Sequence, residues 1–155
     1  MKAIGLDVGD KTIGVAISDD LLFSAHGLKT IQRVGIRKDA GAIIDLIDEY
    51  KCDTLVIGLP KRLDGTDSQQ TEKVHEFRAM LENKLTSTGK TDVTVVYQDE
   101  RLTTVQAQKV LIEADVSRKK RKEVIDKQAA VLILQGYLDR LYYKKAQEAE
   151  QEKKE

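Results

Sequence analysis

The chain has 155 residues with 26 basic and 26 acidic side chains, so any affinity for nucleic acid must rest on local clustering rather than on net charge. Hydrophobic residues make up 41% and aromatic residues only 5%, which predicts a single domain whose core is built from Val, Ile, Leu and Ala. One cysteine, Cys52, excludes an internal disulfide and a Cys-based metal site. No apolar run approaches the roughly 18 residues of a membrane span, and the start at Lys2 has no signal-peptide profile, so a soluble cytoplasmic protein is expected.

Residues Leu6–Asp19, LDVGDKTIGVAISD, read as two strands joined by a tight turn at Asp10-Lys11. A two-residue turn fixes the pairing. One face pairs Val8 with Ile13, Leu6 with Val15 and Ile4 with Ile17; the other pairs Asp7 with Gly14, Gly5 with Ala16 and Ala3 with Ser18. The first is an aliphatic wall suited to packing on helices. The second is nearly bare of side chains and carries the Asp7 carboxylate in its middle.

Leu21–Arg33 predicts a third strand, and Asp39–Tyr50 an amphipathic helix with Ala40, Ile43, Ile44 and Ile47 on one side. Thr54–Pro60, TLVIGLP, reads as a strand buried on both faces. Its polar exit, KRLDGTDS, leads to a helix capped by Asp67 or Ser68 that runs to about Leu85, with Val74, Phe77, Leu81 and Leu85 aligned. Val93–Tyr97 gives the last strand, ending at QDER. Thr103 with Gln106 has capping-box form and predicts a helix to Ala114. Asp115–Lys122 is a polar, basic connector, expected to be mobile without substrate, and a strongly helical pattern spans about Val124–Tyr143. Residues 144–155, KKAQEAEQEKKE, form a mixed-charge tail that either extends this helix or frays. The element order predicts an α/β fold, a mixed sheet covered by helices, as one domain over residues 1–143.

Three carboxylates can meet on such a framework. Asp7 lies in the first strand, and Glu100 follows the last, where ligands of open α/β sheets collect. Asp126 heads the stripe Ala129, Ala130, Ile133, Leu134 and Tyr137, on the helix face that packs inward. Plainer readings stand beside this one: a turn acid at Asp7, a loop acid at Asp99 or Glu100, and a dipole-compensating acid at Asp126. Three inward acids without His or Cys suit a hard cation, Mg2+ or Mn2+, and two such ions about 3.5–4 Å apart activate water and stabilise the leaving oxygen in phosphodiester cleavage. Gly5, Gly9, Gly14 and Ala16 are then expected to leave room beside Asp7 for metal and a phosphate backbone. Neither His26 nor His75 falls near these acids, and His75 reads as a surface residue. Basic residues cluster at the same places: Lys11 in the turn, Lys61 and Arg62 after the buried strand, Arg101 beside Glu100, and the run Arg118, Lys119, Lys120, Arg121 and Lys122 ahead of Asp126. They suit a phosphate backbone, although a like-charge run is also simply a solvated loop.

Four motifs in order, LDVGDKTIGVAISD, VIGLP with LDGT, DERLTT and DKQAAVLILQGYLD, resemble the YqgF family of bacterial RNase H-like proteins, relatives of the RuvC Holliday-junction resolvases. The resemblance covers all but the charged tail. It implies an RNase H-like fold, a five-stranded mixed sheet with the first three strands antiparallel and the last two parallel, flanked by helices. It also implies a metal-dependent nuclease, described in the family as a processor of the 5′ end of pre-16S rRNA and earlier as a resolvase. By motif, Asp7 is the first-strand ligand, Glu100 the second and Asp126 the third. There are departures: RuvC-type enzymes carry paired acids on the last helix, where this chain has Ala129, and an acid on an earlier strand, where it has GLP.

Four functions compete at this stage: a nuclease on structured RNA, the same chemistry on branched DNA, a non-catalytic nucleic-acid-binding module, and a sugar-kinase or actin-like ATPase. Retention of all three acids argues against the module, and the chain has room for one of the two domains an ATPase of that type needs. A monomer or weak homodimer away from membranes is expected.

Overall fold

The computed structural model describes residues 2–102 and 118–154, with side chains for 2–101 and 127–154. Strands β1 (Ala3–Val8) and β2 (Thr12–Ser18) form the hairpin in the expected register, Asp7 opposite Gly14 and Leu6 opposite Val15. The turn is closed by Gly9 N–H donating to the Thr12 carbonyl at 2.9 Å. Strand β3 (Ala25–Gln32) pairs antiparallel with β2 and starts four residues later than the sequence pattern suggested. Asp19 is the reason. Its carboxylate accepts from Phe23 N–H at 2.7 Å, and Leu22 takes a left-handed φ of 58°, so the chain turns before it can extend.

Helix α1 (Ile36–Tyr50) begins three residues before the predicted Asp39. Asp39 instead sits buried inside the first turn, accepting from Val34 N–H and from Arg33 Nε, each at 3.0 Å. Strand β4 (Thr54–Leu59) is almost wholly buried, as its apolar run requires. Helix α2 (Gln69–Ser87) starts at a capping box in which Ser68, rather than Asp67, is the cap: Thr71 N–H donates to Ser68 Oγ, and Ser68 N–H to Thr71 Oγ1. Strand β5 (Thr94–Asp99) ends in a 3-10 turn, Glu100–Leu102.

The five strands form one mixed sheet in the order β3-β2-β1-β4-β5, with β1, β2 and β3 antiparallel and β1, β4 and β5 parallel. The aliphatic face of the hairpin, with Ile4, Leu6, Val8, Ile13 and Val15, packs against α1 and α2 through Ile43, Ile47, Val74, Phe77 and Leu81. The opposite face receives α3 (Arg118–Lys154), whose Ala129, Ala130, Ile133, Leu134 and Leu138 bury against Ala3, Ala16 and Val56. One correction concerns α3: it begins at Arg118, so Arg118–Lys122 belong to the helix rather than to a connector, while the charged tail extends the helix to Lys154, one of the two outcomes expected for it. Lys, Arg, Glu, Gln and Ala are all strong helix formers, which outweighs the solvated-loop reading of a charge run. The predicted helix over Thr103–Ala114 and the first part of the basic connector lie outside the described residues. No helix among the described residues is long and apolar enough to cross a membrane.

Cys52 is buried in the α1–α2 core, and that burial pushes its thiol up to about 11. Native protein at pH 8 will therefore react with a thiol reagent orders of magnitude more slowly than urea-unfolded protein, which absorbance of the released thiolate measures directly. Labelling of the folded chain at the unfolded rate would contradict the buried placement.

Candidate functional site

The register of the sheet puts one row of residues at a single level on the α3 face. From edge to edge it reads Gln98 in β5, Gly58 in β4, Asp7 in β1, Gly14 in β2 and Thr30 in β3. Gln98 pairs with Gly58, Asp7 with Gly14 and Gly14 with Thr30, while Asp7 and Gly58 lie one position beyond the Leu6–Ile57 pair. Asp7 is thus flanked on both sides by glycine. Glu100 occupies the space over one of them: its Oε1 lies 2.7 Å from where a Cβ on Gly58 would sit. Neighbouring strands are about 4.8 Å apart, so the Glu100 carboxylate stands beside that of Asp7. Both acids are buried, at 6% and 4% exposure.

Helix α3 arrives at the same place. Ala130 and Leu134 press on Gly5, Gln135 Oε1 accepts from Ala25 N–H at 2.9 Å, and the Lys127 stem lies on Gly27. Lower helix numbers thus match higher numbers in β3, and α3 runs antiparallel to β1. The helix crosses the sheet obliquely, with Ile133 over Gly58 and Lys127 over Gly27, and the Asp126 side chain lies outside the described residues. Among the described residues no three His, Cys, Asp or Glu side chains gather in a metal-holding group. The donor set nonetheless fits a hard divalent cation, because Asp7 and Glu100 offer only carboxylate oxygens.

One sequence expectation needs revision. The bare face of the hairpin is not an open floor: Gly5 and Ala16 are roofed by α3, because their missing side chains let the helix backbone come close.

Asp99 and Glu100 are distinguished by their partners. Asp99 is gripped by Arg101 through Nη2 at 2.8 Å, Nε at 3.1 Å and the backbone N–H at 2.8 Å. These hydrogen bonds hold its carboxyl below the ordinary carboxylate range. Arg101 is in turn fixed against the 61–67 loop, with Nη1 2.9 Å from the Cβ position of Gly65, a residue in left-handed φ of +90°. Lys61 bridges to Asp67 at 3.5 Å, Arg62 is exposed, and both lie at the exit of β4 near Arg101. Lys11 is exposed at the hairpin turn. Arg118–Lys122 are the first five residues of α3; their side chains lie outside the described residues.

Several supporting residues escaped sequence reasoning. Gln70 Nε2 donates to the Val8 carbonyl at 3.0 Å, Arg33 Nη1 to the Gly9 carbonyl at 2.8 Å, and Lys73 pairs with Asp10 at 3.0 Å, so three long side chains pin the backbone that leaves Asp7. No local pattern announces such long-range contacts. His75 is half-buried rather than a plain surface residue, with Nδ1 2.7 Å from the Tyr97 hydroxyl. It lies on α2, on the sheet face away from the two acids.

Residues 1–140 match the family profile described as RuvX, Holliday junction resolvase. The chain belongs to the RuvX family. With it come the nucleases of the RNase H-like superfamily, as the four motifs implied. A Clostridium tetani protein named "Putative pre-16S rRNA nuclease" is 51% identical over 144 residues, covering 93% of this chain and all of that one. A Desulforamulus reducens protein of the same name is 50% identical, covering 90% and 97%. Among solved structures, Thermus thermophilus RuvC in complex with a Holliday junction substrate aligns with a TM-score of 0.54 at 13% identity, over 91% of this chain and 96% of that one. The fowlpox virus Holliday junction resolvase aligns with a TM-score of 0.55, also at 13% identity, over 91% and 99%. At that identity the two structures speak for the fold, and the RuvX member shares it.

Proposed function

We propose that this RuvX protein is a divalent-metal-dependent nuclease that hydrolyses phosphodiester bonds in structured RNA, processing the 5′ end of pre-16S rRNA, with Asp7, Glu100 and Asp126 holding Mg2+ or Mn2+. The observation that carries the reading is that the buried Glu100 carboxylate reaches over Gly58, the strand neighbour of the buried Asp7. Bound there, the metal supplies an activated water and charge stabilisation for the leaving oxygen. The chain's own residues do the rest. Asp7 is held by a hairpin whose exit is pinned by Gln70 and Arg33. Glu100 is placed by the turn that Asp99 and Arg101 lock.

Positive charge lies around this point on three segments. Lys61 and Arg62 on the 61–67 loop, Arg101 beside Glu100 and Lys11 in the turn sit at the carboxyl ends of β4, β5 and β1. Arg118, Lys119, Lys120, Arg121 and Lys122 add five cations to the end of α3 whose dipole is already positive. An anion offsets both terms, and a phosphate backbone is an anion of suitable length.

The relatives at half identity favour RNA, whereas the family description and the resolvases of like fold favour branched DNA as the second reading. One purified sample incubated with Mn2+ and either a precursor 16S rRNA 5′ segment or a four-way DNA junction separates them. Cleavage of the RNA at a defined site with an intact junction is expected. Symmetric nicking of the junction with intact RNA would overturn the RNA assignment and leave the metal site standing. Cleavage of neither, with tight binding of both, would favour the non-catalytic module.

A further inference from the structure

Two buried side-chain oxygens on the α3 face have no hydrogen-bond partner among the described residues: Thr12 Oγ1 and Gln98 Oε1. Their residues are 3% and 4% exposed. Burying such a group without a partner costs about 1–3 kcal/mol, so most folded proteins avoid it. Neither oxygen lies at a random place. Gln98 is the β5 member of the Asp7 row, adjacent to Gly58 and hence to the Glu100 carboxylate that covers it. Thr12 is two residues before Gly14 on the same face of β2, and its Oγ1 lies 4.0 Å from the Cβ position of Gly9, the turn residue two positions after Asp7. One orphaned oxygen therefore stands on each side of the carboxylate pair.

Gln98 Oε1 can only accept and the Thr12 hydroxyl can accept as well as donate, while the carboxylates nearby only accept. The missing component is a set of O–H donors between them. A hard divalent cation brings such donors, because Mg2+ and Mn2+ held by few carboxylates keep several bound waters. We propose that Thr12 and Gln98 are the outer hydrogen-bonding shell of the site, accepting from water molecules bound to the cation that Asp7 and Glu100 hold. The inference rests on the metal-dependent reading of those two acids. It assigns Thr12 and Gln98 as positioning residues: they orient the hydrated ion without ligating it. Outer partners of this kind are worth roughly 10- to 100-fold in metal affinity.

The test compares wild type with Thr12→Val, Thr12→Ser, Gln98→Leu and Asp7→Asn. Thermal melting in EDTA and the dissociation constant for Mn2+, from calorimetry and from the spin resonance of free Mn2+, are read without nucleic acid. In EDTA, Thr12→Val and Gln98→Leu are expected to melt at or above the wild-type temperature, because an apolar isostere removes an unsatisfied group. Mn2+ is expected to bind each of them about tenfold more weakly. Thr12→Ser, which keeps the hydroxyl, is expected to bind like wild type. A lower melting temperature for both variants in EDTA would mean that the oxygens are partnered within the protein, and the proposal fails. Unchanged Mn2+ affinity in both, while Asp7→Asn loses binding, also overturns it but leaves the metal site intact. Equal Mn2+ binding by wild type and Asp7→Asn would instead reject the metal reading itself, and this inference with it.

Discussion

Asp7→Asn is expected to lower Mn2+- or Mg2+-dependent cleavage by roughly a thousandfold or more, the scale on which a preorganised electrostatic contact to the transition state is lost. The substitution keeps the side-chain shape and its hydrogen-bonding reach, so the hairpin register, Asp7 opposite Gly14, has no reason to change. Melting in EDTA should therefore move by only a few degrees. The metal-linked part of stability is where the variant differs. A ligand present at 100 times its Kd adds about 2.7 kcal/mol to the folded state, so saturating Mn2+ should raise the wild-type melting temperature and leave that of Asp7→Asn almost unmoved. Glu100→Gln should behave like Asp7→Asn. Asp99→Asn should not, because Asp99 spends its carboxylate on Arg101 and reaches the site only through the turn it holds. A loss for Asp99→Asn as large as for Glu100→Gln would reverse the assignment of the second acid.

That distinction between Asp99 and Glu100 marks the limit of what the sequence discloses. The pairing of β1 with β2 was legible to the residue, because a two-residue turn leaves a single register and the alternation of Ile4, Leu6 and Val8 says which face is buried. The chain order of the remaining elements was legible for the same reason, with helical and alternating periods that do not overlap. What could not be read was who fills the bare face. Gly5, Gly14 and Ala16 announce close approach of something, and whether that is a ligand or a helix depends on residues more than a hundred positions away. Ala129 and Ala130 carry the complementary signal, since small residues on both surfaces are what lets a helix backbone sit against a strand. The start of α3 was misread because Arg118–Lys122 satisfy two descriptions, solvated loop and good helix formers, and only the second survives once the stripe behind them packs. Thr12 and Gln98 were visible as polar residues in strands, but a missing partner is a property of three-dimensional surroundings.

Gly58→Ala is the second change expected to have a large effect, and it separates packing from chemistry. The added methyl would overlap the Ile133 δ-methyl and stand 2.7 Å from Glu100 Oε1. Ile133 is a fully buried residue of α3, held between the helix and the sheet, so the first overlap should cost about 1–3 kcal/mol of stability, as overpacking does. Glu100 Oε1 is the far end of a flexible side chain and can move away at little energetic expense. Movement is nevertheless what the reaction does not tolerate, since a misplacement of about 1 Å at a reacting centre can cost on the order of a hundredfold. Adding Ile133→Ala removes the first overlap and leaves the second. The double variant Gly58→Ala/Ile133→Ala should be less destabilised than the sum of the two single variants, by a favourable coupling of about 0.5–3 kcal/mol, while cleavage stays low. Gly5→Ala provides the contrast. There the methyl would meet Leu134 Cβ at 2.6 Å and the Ala130 carbonyl oxygen at 3.2 Å, so no side-chain truncation short of glycine can relieve it. Gly5→Ala should lose stability without rescue by Leu134→Ala, because alanine retains the offending Cβ. Folded Gly58→Ala protein that cleaves at the wild-type rate would show that the Glu100 carboxylate stands away from the reacting phosphate, since the position over Gly58 is what brings it beside Asp7.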